Sequence, residues 1–264
     1  MKTGIVIEST GSHYVVLTPE GRTLETKLRG KLRLNGSRTT NPVAVGDRVR
    51  YEETAGTGAT ITEVEPRRNY LIRRASNLSK EAHVIASNLD RALIVATLFS
   101  PVTNTEFIDR FLVTCEAYAI PAAIVLNKVD LAARRPEELE EFTAIYETAG
   151  YPVYPVSATE GSGLEALREL IAGTTTLLTG NSGAGKSTLI KALVPGADVR
   201  INRISDYHHK GMHTTTFARM YPLEGGGSII DTPGIKGFGL IDIAPDEVFR
   251  YFPEFMRYSP DCQY

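Results

Sequence analysis

Gly180-Asn181-Ser182-Gly183-Ala184-Gly185-Lys186-Ser187-Thr188 satisfies the pattern G-x-x-x-x-G-K-[ST]. Ahead of it Thr176 to Thr179 is a short β-prone run, and behind it Leu189, Ile190, Ala192 and Leu193 form an apolar helical face. Strand, glycine loop and helix in that order make a phosphate cradle. The glycines let the backbone wrap the phosphates, so that N–H groups of a nest and of a helix N-terminus point inward. Lys186 is expected against the β- and γ-phosphates, and the Ser187 hydroxyl is expected to bind Mg²⁺. All nine residues from Gly180 to Thr188 are candidate nucleotide contacts.

Asn127-Lys128-Val129-Asp130 decides which nucleotide. It follows Ala122-Ala123-Ile124-Val125-Leu126, an apolar run suited to a buried parallel strand, and so falls at a carboxyl strand end. Asp130 is placed to accept hydrogen bonds from guanine N1–H and the N2 amine. Adenine has neither donor and leaves a buried carboxylate unpaired, a discrimination of several kcal/mol. Asn127 is expected to reach the purine edge, and the Lys128 stem to cover the ring face. Taken alone, this tetrapeptide could also be a solvated turn. A second strand end, Val153-Tyr154-Pro155-Val156-Ser157-Ala158, closes in the Ser-Ala pair that backs guanine in GTPases. In an ordinary small GTPase the phosphate loop precedes the guanine reader. Here the order is reversed, so the fold expected is a circularly permuted α/β P-loop GTPase domain, binding GTP and GDP with Mg²⁺.

Ser228-Ile229-Ile230-Asp231-Thr232-Pro233-Gly234 is a strand running into D-x-x-G. Asp231 is expected to hold Mg²⁺ through a water, and the Gly234 N–H to meet the γ-phosphate. Within Gly211-Met212-His213-Thr214-Thr215-Thr216 one threonine should complete the Mg²⁺ shell. Thr215 is favoured, with Thr214 close behind; the three threonines could equally begin a strand from Phe217 to Leu223. Ras-like enzymes place a water-orienting glutamine directly after D-x-x-G. Ile235 stands there instead and can neither donate nor accept a hydrogen bond, which implies slow intrinsic hydrolysis. His213 is the local candidate to position water, the plainer alternative being a loop histidine that meets a partner or solvent. Lys186, Thr215 and His213 are thus the candidate catalytic residues.

The flanking sequence fits the same sheet. Ala92 to Leu98 is a buried-strand run, followed by Phe107, Phe111, Leu112, Cys115 and Tyr118 at helical spacing, read as core packing. Further helical patterns cover Pro136 to Ala149 and Gly163 to Ile171. Strands alternating with helices indicate a parallel, doubly wound sheet. Residues 1–66 differ: alternating stretches at Gly4 to Glu8, Tyr14 to Leu17, Thr23 to Leu28 and Asp47 to Glu52 are separated by turn signals. That spacing suggests an all-β OB-fold barrel, and Val45-Gly46-Asp47-Arg48-Val49 is a turn-into-strand phrase common in such barrels.

Charge is divided between the parts. Residues 1–80 carry 14 Lys+Arg against 8 Asp+Glu, and the remainder 15 against 23, within a net charge of −2. The basic stretch ending in Arg67, Arg68, Arg73 and Arg74 is expected to attract a phosphate backbone, the bland alternative being a solvated barrel face. The 264 residues suffice for two domains and a tail. No signal peptide or membrane-spanning run is expected, and two cysteines suit a reducing cytoplasm.

The barrel, NKVD, Ser157-Ala158, GNSGAGKST, GMHTTT and DTPG, in that order, resemble the bacterial ribosome small-subunit-dependent GTPase family over essentially the whole chain. The resemblance implies a cytoplasmic GTP hydrolase of late small (30S) ribosomal subunit maturation, bound to ribosomal RNA and stimulated by the subunit. Nothing calls for more than a monomer. It implies domains at 1–66, 67–240 and 241–264, the last opening a zinc-binding segment of pattern Cys-x4-Cys-x-His-x5-Cys. Cys262 matches its first ligand, but the sequence given stops at Tyr264 before the other three, so Zn²⁺ is expected only in a longer chain. Two alternatives remain open: a nucleotide-gated RNA-binding clamp with little catalysis, and a permuted GTPase of large-subunit assembly.

Overall fold

The computed structural model describes residues 1–30, 41–54, 58–74, 82–197, 218–232 and 243–261. Five strands come first: β1 (Lys2–Ser9), β2 (Tyr14–Leu17), β3 (Thr23–Leu28), β4 (Arg48–Thr54) and β5 (Gly58–Val64). β1 to β3 pair antiparallel in succession, β3 pairs β5 in parallel, and β4 joins both β5 and β1, which closes the barrel. Alternation fills the inside: Val6, Tyr14, Val16, Val49, Tyr51, Ala59 and Ile61 are buried together with Val43. Gly4 permits the closure, since a β-carbon there would lie 2.4 Å from Val16 Cγ1 and 2.8 Å from the Leu17 carbonyl oxygen. The sequence reading does not name β5.

It also misses a second element, the antiparallel hairpin of β6 (Tyr70–Arg74) and β7 (Ala82–Ser87). The hairpin is clamped to the barrel through Asp47, which is fully buried. Arg67 grips this carboxylate with two hydrogen bonds of 2.7 and 2.8 Å, the Ser87 hydroxyl donates at 2.6 Å and the Ala44 N–H at 2.8 Å. Gly46 beside it has φ 93°, and a β-carbon there would meet the Ser87 carbonyl oxygen at 2.2 Å. This corrects the expectation for Arg67. Its guanidinium is consumed inside the protein, not offered to a phosphate backbone. Lys2, Arg22, Arg29 and Arg50 also face carboxylates on the barrel surface. The excess of basic residues is therefore less free than composition implies.

The second half alternates β8 (Arg91–Ala96), α1 (Thr105–Ala117), β9 (Ala122–Asn127), α2 (Pro136–Ala149), β10 (Val153–Val156), α3 (Leu164–Ile171), β11 (Thr175–Gly180) and α4 (Lys186–Leu193). β12 (Arg219–Pro222) and β13 (Ser228–Asp231) follow, and α5 (Pro253–Tyr258) lies between short 3₁₀ turns near the end. Strand order is β10-β9-β8-β11-β13-β12, parallel except for β12. Helix ends obey local chemistry: the Asn104 side chain accepts from the Glu106 N–H at the start of α1, while α2 opens on Pro136 and closes on Gly150 in the left-handed region. One face of the sheet packs Ile94, Ile124 and Leu126 against Phe111, Leu112 and Cys115 of α1, as the helical spacing led one to expect. The other packs Leu93, Val95 and Leu178 against Leu167, Leu189 and Ile190 of α3 and α4. The chain turns to opposite sides of β8 and β11, and a doubly wound sheet opens a ligand crevice at such a switch point.

Candidate nucleotide site

The nine-residue loop leaves β11 at Gly180 and feeds α4 at Lys186. Gly180 is packed against the neighbouring strand, where a β-carbon would lie 2.6 Å from the Val95 carbonyl oxygen. Gly183 and Gly185 both take positive φ, 84° and 88°. Between them Ala184 is buried and its N–H reaches the Asn181 carbonyl at 3.2 Å; Ser182 at the tip is exposed, and Ser187 and Thr188 are half-buried.

Asn127 is the buried last residue of β9, and its side chain joins three loops. Nδ2 donates to the Ala184 carbonyl at 2.8 Å, and Oδ1 accepts from the Ala158 N–H at 3.1 Å. The amide expected at the purine edge is thus occupied in holding the phosphate loop to the Ser-Ala turn. Lys128, left-handed at φ 64°, sends its ammonium to the Gly183 carbonyl at 2.8 Å and to the Ser100 carbonyl. Its stem therefore runs beside the loop, with Cε 3.7 Å from the place of a β-carbon on Gly185. Ser100 is a contact that sequence reasoning missed, and no local signal marks it.

Asp130 stands on the 3₁₀ turn after Lys128 and accepts the Ser157 hydroxyl at 2.6 Å. Ser157 is fully buried; its oxygen also accepts from the Glu160 N–H, and its own N–H is held by the Ser162 carbonyl. One carboxylate oxygen of Asp130 is thereby fixed in direction.

Asp231 ends β13 and is ion-paired with Lys186, both side chains being largely buried. Burial pushes the Asp231 carboxyl above the ordinary carboxylate range, and the Lys186 ammonium pulls against it. Thr232, buried next to it, donates to the Leu178 carbonyl and locks the end of β13 to β11. The structure thus gathers Asn127, Lys128, Asp130, Ser157, Ala158, the phosphate loop and Asp231 at one edge of the sheet. His213, Thr214, Thr215, Thr216, Gly234, Ile235 and Cys262 lie outside the described residues. Among the described residues no three His, Cys, Asp or Glu side chains group as a metal site, and no helix is long and apolar enough to cross a membrane.

Comparison with known proteins agrees with this geometry. The family model described as RsgA GTPase matches residues 64–241, and that of the RsgA N-terminal domain matches residues 3–61. A small ribosomal subunit biogenesis GTPase RsgA from Bacteroides fragilis is 51% identical over 264 residues, covering 99% of this chain and 84% of that protein. A relative from Porphyromonas gingivalis with the same description is 50% identical, with 99% and 85% covered. Among solved structures, YjeQ from Thermotoga maritima superposes with TM-score 0.73 at 33% identity, over 96% of this chain and 82% of that one. YloQ, described as a circularly permuted GTPase, gives TM-score 0.71 at 23% identity over 100% and 82%, a likeness of fold.

Proposed function

The chain belongs to the RsgA GTPase family, and from that premise we propose that it hydrolyses GTP in late maturation of the small ribosomal subunit. It acts in the cytoplasm as a monomer, touches ribosomal RNA through the barrel, and turns over fastest when the subunit is bound. The observation that carries this reading is the Asn127 side chain, whose two hydrogen bonds tie the guanine reader to the phosphate loop and to the Ser-Ala turn. Three segments that are scattered and permuted in sequence serve one nucleotide. The working division is a barrel at 1–66, a permuted GTPase domain at 67–240 and a C-terminal segment from 241.

The residues then take these roles. Asp130, held by Ser157, reads guanine; Ala158 backs the base; the Lys128 stem covers its face. The backbone of Gly180 to Thr188 cradles the phosphates, and Lys186 leaves Asp231 to meet the β- and γ-oxygens. The Ser187 hydroxyl, next to the Lys186 that pairs with Asp231, and Asp231 acting through a water would hold Mg²⁺, an ion that such hard oxygen groups suit. Mg²⁺ held there would neutralise charge on the phosphates. Thr215 is proposed to complete the Mg²⁺ shell, Gly234 to contact the γ-phosphate and His213 to position the attacking water. Cys262 is proposed as a zinc ligand only where the chain continues.

Single-turnover GTP hydrolysis, run alone, with purified small subunits and with large subunits, tests the reading. Strong stimulation by small subunits alone is expected. Stimulation only by large subunits, or no turnover with nucleotide-dependent RNA binding, would replace it with one of the two alternatives.

A further inference from the structure

The strand that opens the barrel also extends the nucleotide-binding sheet. Glu8 of β1 stands opposite Arg219 of β12, and Arg219 stands opposite Asp231 of β13. Residues directly opposed on neighbouring strands share a face. Glu8, Arg219 and Asp231 therefore form a row of alternating charge across three strands, and Lys186 extends it from the start of α4. Within the row Arg219 Nε donates to Glu8 Oε1 at 2.7 Å. Its guanidinium also lies 5.4 Å from the centre of the Tyr221 ring.

Two further features fix this joint. On the other face Ile7 and Met220 enter the same buried cluster as Ile230, so β1 is anchored in the core beneath the nucleotide site. Between Val6 and Glu8 the ladder from β1 to β2 slips by one residue, and a bulge of this kind re-aims the side chain that follows it. The Glu8 and Arg219 side chains are 32% and 41% exposed, and an ion pair so placed adds little to stability. Its consequence is positional. Arg219 stands in the ladder directly opposite Asp231, so a shift of β12 at Arg219 is carried to the end of β13.

We propose that Glu8 and Arg219 are positioning residues for GTP hydrolysis, coupling the barrel to Asp231 so that a partner seated on the barrel acts on the nucleotide site. The proposal rests on the reading that a ribosomal subunit stimulates hydrolysis. Glu8→Gln keeps the shape and removes the charge, while Glu8→Asp keeps the charge. Free Glu8→Gln protein should keep the wild-type GTP affinity and unstimulated single-turnover rate. With saturating small subunits, and with cosedimentation retained, its rate should fall about tenfold, and Glu8→Asp should keep most of the wild-type stimulation. Full stimulation of Glu8→Gln, or equal loss in Glu8→Asp, overturns the proposal.

A second measurement needs no ribosome. In free wild-type protein, hydrogen exchange at the Glu8 and Ser9 amides should slow when a non-hydrolysable GTP analogue and Mg²⁺ are added, and in Glu8→Gln it should not. Exchange at β1 that ignores nucleotide overturns the coupling. If small subunits fail to stimulate the wild-type enzyme, the functional reading falls and the exchange result alone decides the coupling.

Discussion

Gly185 and Asn127 approach so closely that a β-carbon on Gly185 would lie 2.3 Å from Asn127 Nδ2. The same amide nitrogen donates to the Ala184 carbonyl, so it cannot retreat without releasing the phosphate loop. Gly185 also sits at φ 88°, in the left-handed region. Gly185→Ala therefore meets two costs at once, about 1–2 kcal/mol for the backbone and the loss of the Asn127 tie. Thermal unfolding and GTP titration should show reduced stability together with affinity weakened by about tenfold or more. Wild-type affinity would mean that the loop does not depend on Asn127.

Base selection is proposed to rest on Asp130, whose carboxylate is oriented by the buried Ser157 hydroxyl. Asp130→Asn replaces an acceptor with a donor opposite the guanine N1–H and N2 amine. GTP affinity should fall by about a hundredfold or more, with ATP affinity little changed. Calorimetry with both nucleotides measures the ratio, and an unaltered preference would remove Asp130 from the base-reading role.

His213 is proposed to act on water, not on binding. His213→Ala should leave GTP affinity intact and lower subunit-stimulated turnover by about a hundredfold. Unchanged stimulated turnover would assign water positioning to another residue.

Arg67 separates a structural from an electrostatic role. Asp47 is fully buried, and Arg67 supplies its countercharge. Removing one partner of a buried pair costs about 3–5 kcal/mol, because the other charge stays behind unpaired. Arg67→Ala should show that loss by urea unfolding, and Asp47→Ala a comparable one. Were Arg67 a phosphate contact, the variant would keep its stability and lose salt-dependent RNA binding instead.

Which features were legible beforehand follows from how local their causes are. The phosphate loop and the strand before NKVD are written in contiguous glycines and apolar runs, so β9, β11 and α4 fall where expected. Helix α2 is bracketed by Pro136 and Gly150, and its limits match the reading. β5 escapes a linear reading because Thr60, Thr62 and Glu63 dilute its apolar alternation; it becomes a strand between β4, its antiparallel neighbour in sequence, and the distant β3. The fate of Arg67 depends on Asp47, and that of the Asn127 amide on the Ala184 carbonyl 57 residues away. Such long-range partners leave no mark in a linear pattern.

Asp109 offers a pH-dependent test remote from the nucleotide. Burial chiefly raises its carboxyl above the usual carboxylate value, and Glu254 adds to this, while the Tyr146 hydroxyl, which donates at 3.0 Å, opposes it. A carboxyl whose folded value is raised binds its proton more tightly in the folded state. At pH below the unfolded value of about 3.9 both states are protonated and no penalty exists. As pH rises from there through the folded value stability is lost, and above it the loss stays constant. Asp109→Asn keeps an oxygen to accept from Tyr146 and removes the titration. At pH 7 the variant should be more stable than wild type by under about 1 kcal/mol, since Asp109 is partly solvated and its shift is screened. The difference should shrink towards pH 3. Chemical denaturation across that range measures it; a difference independent of pH, or a less stable variant at neutrality, would show that the Tyr146 bond outweighs burial.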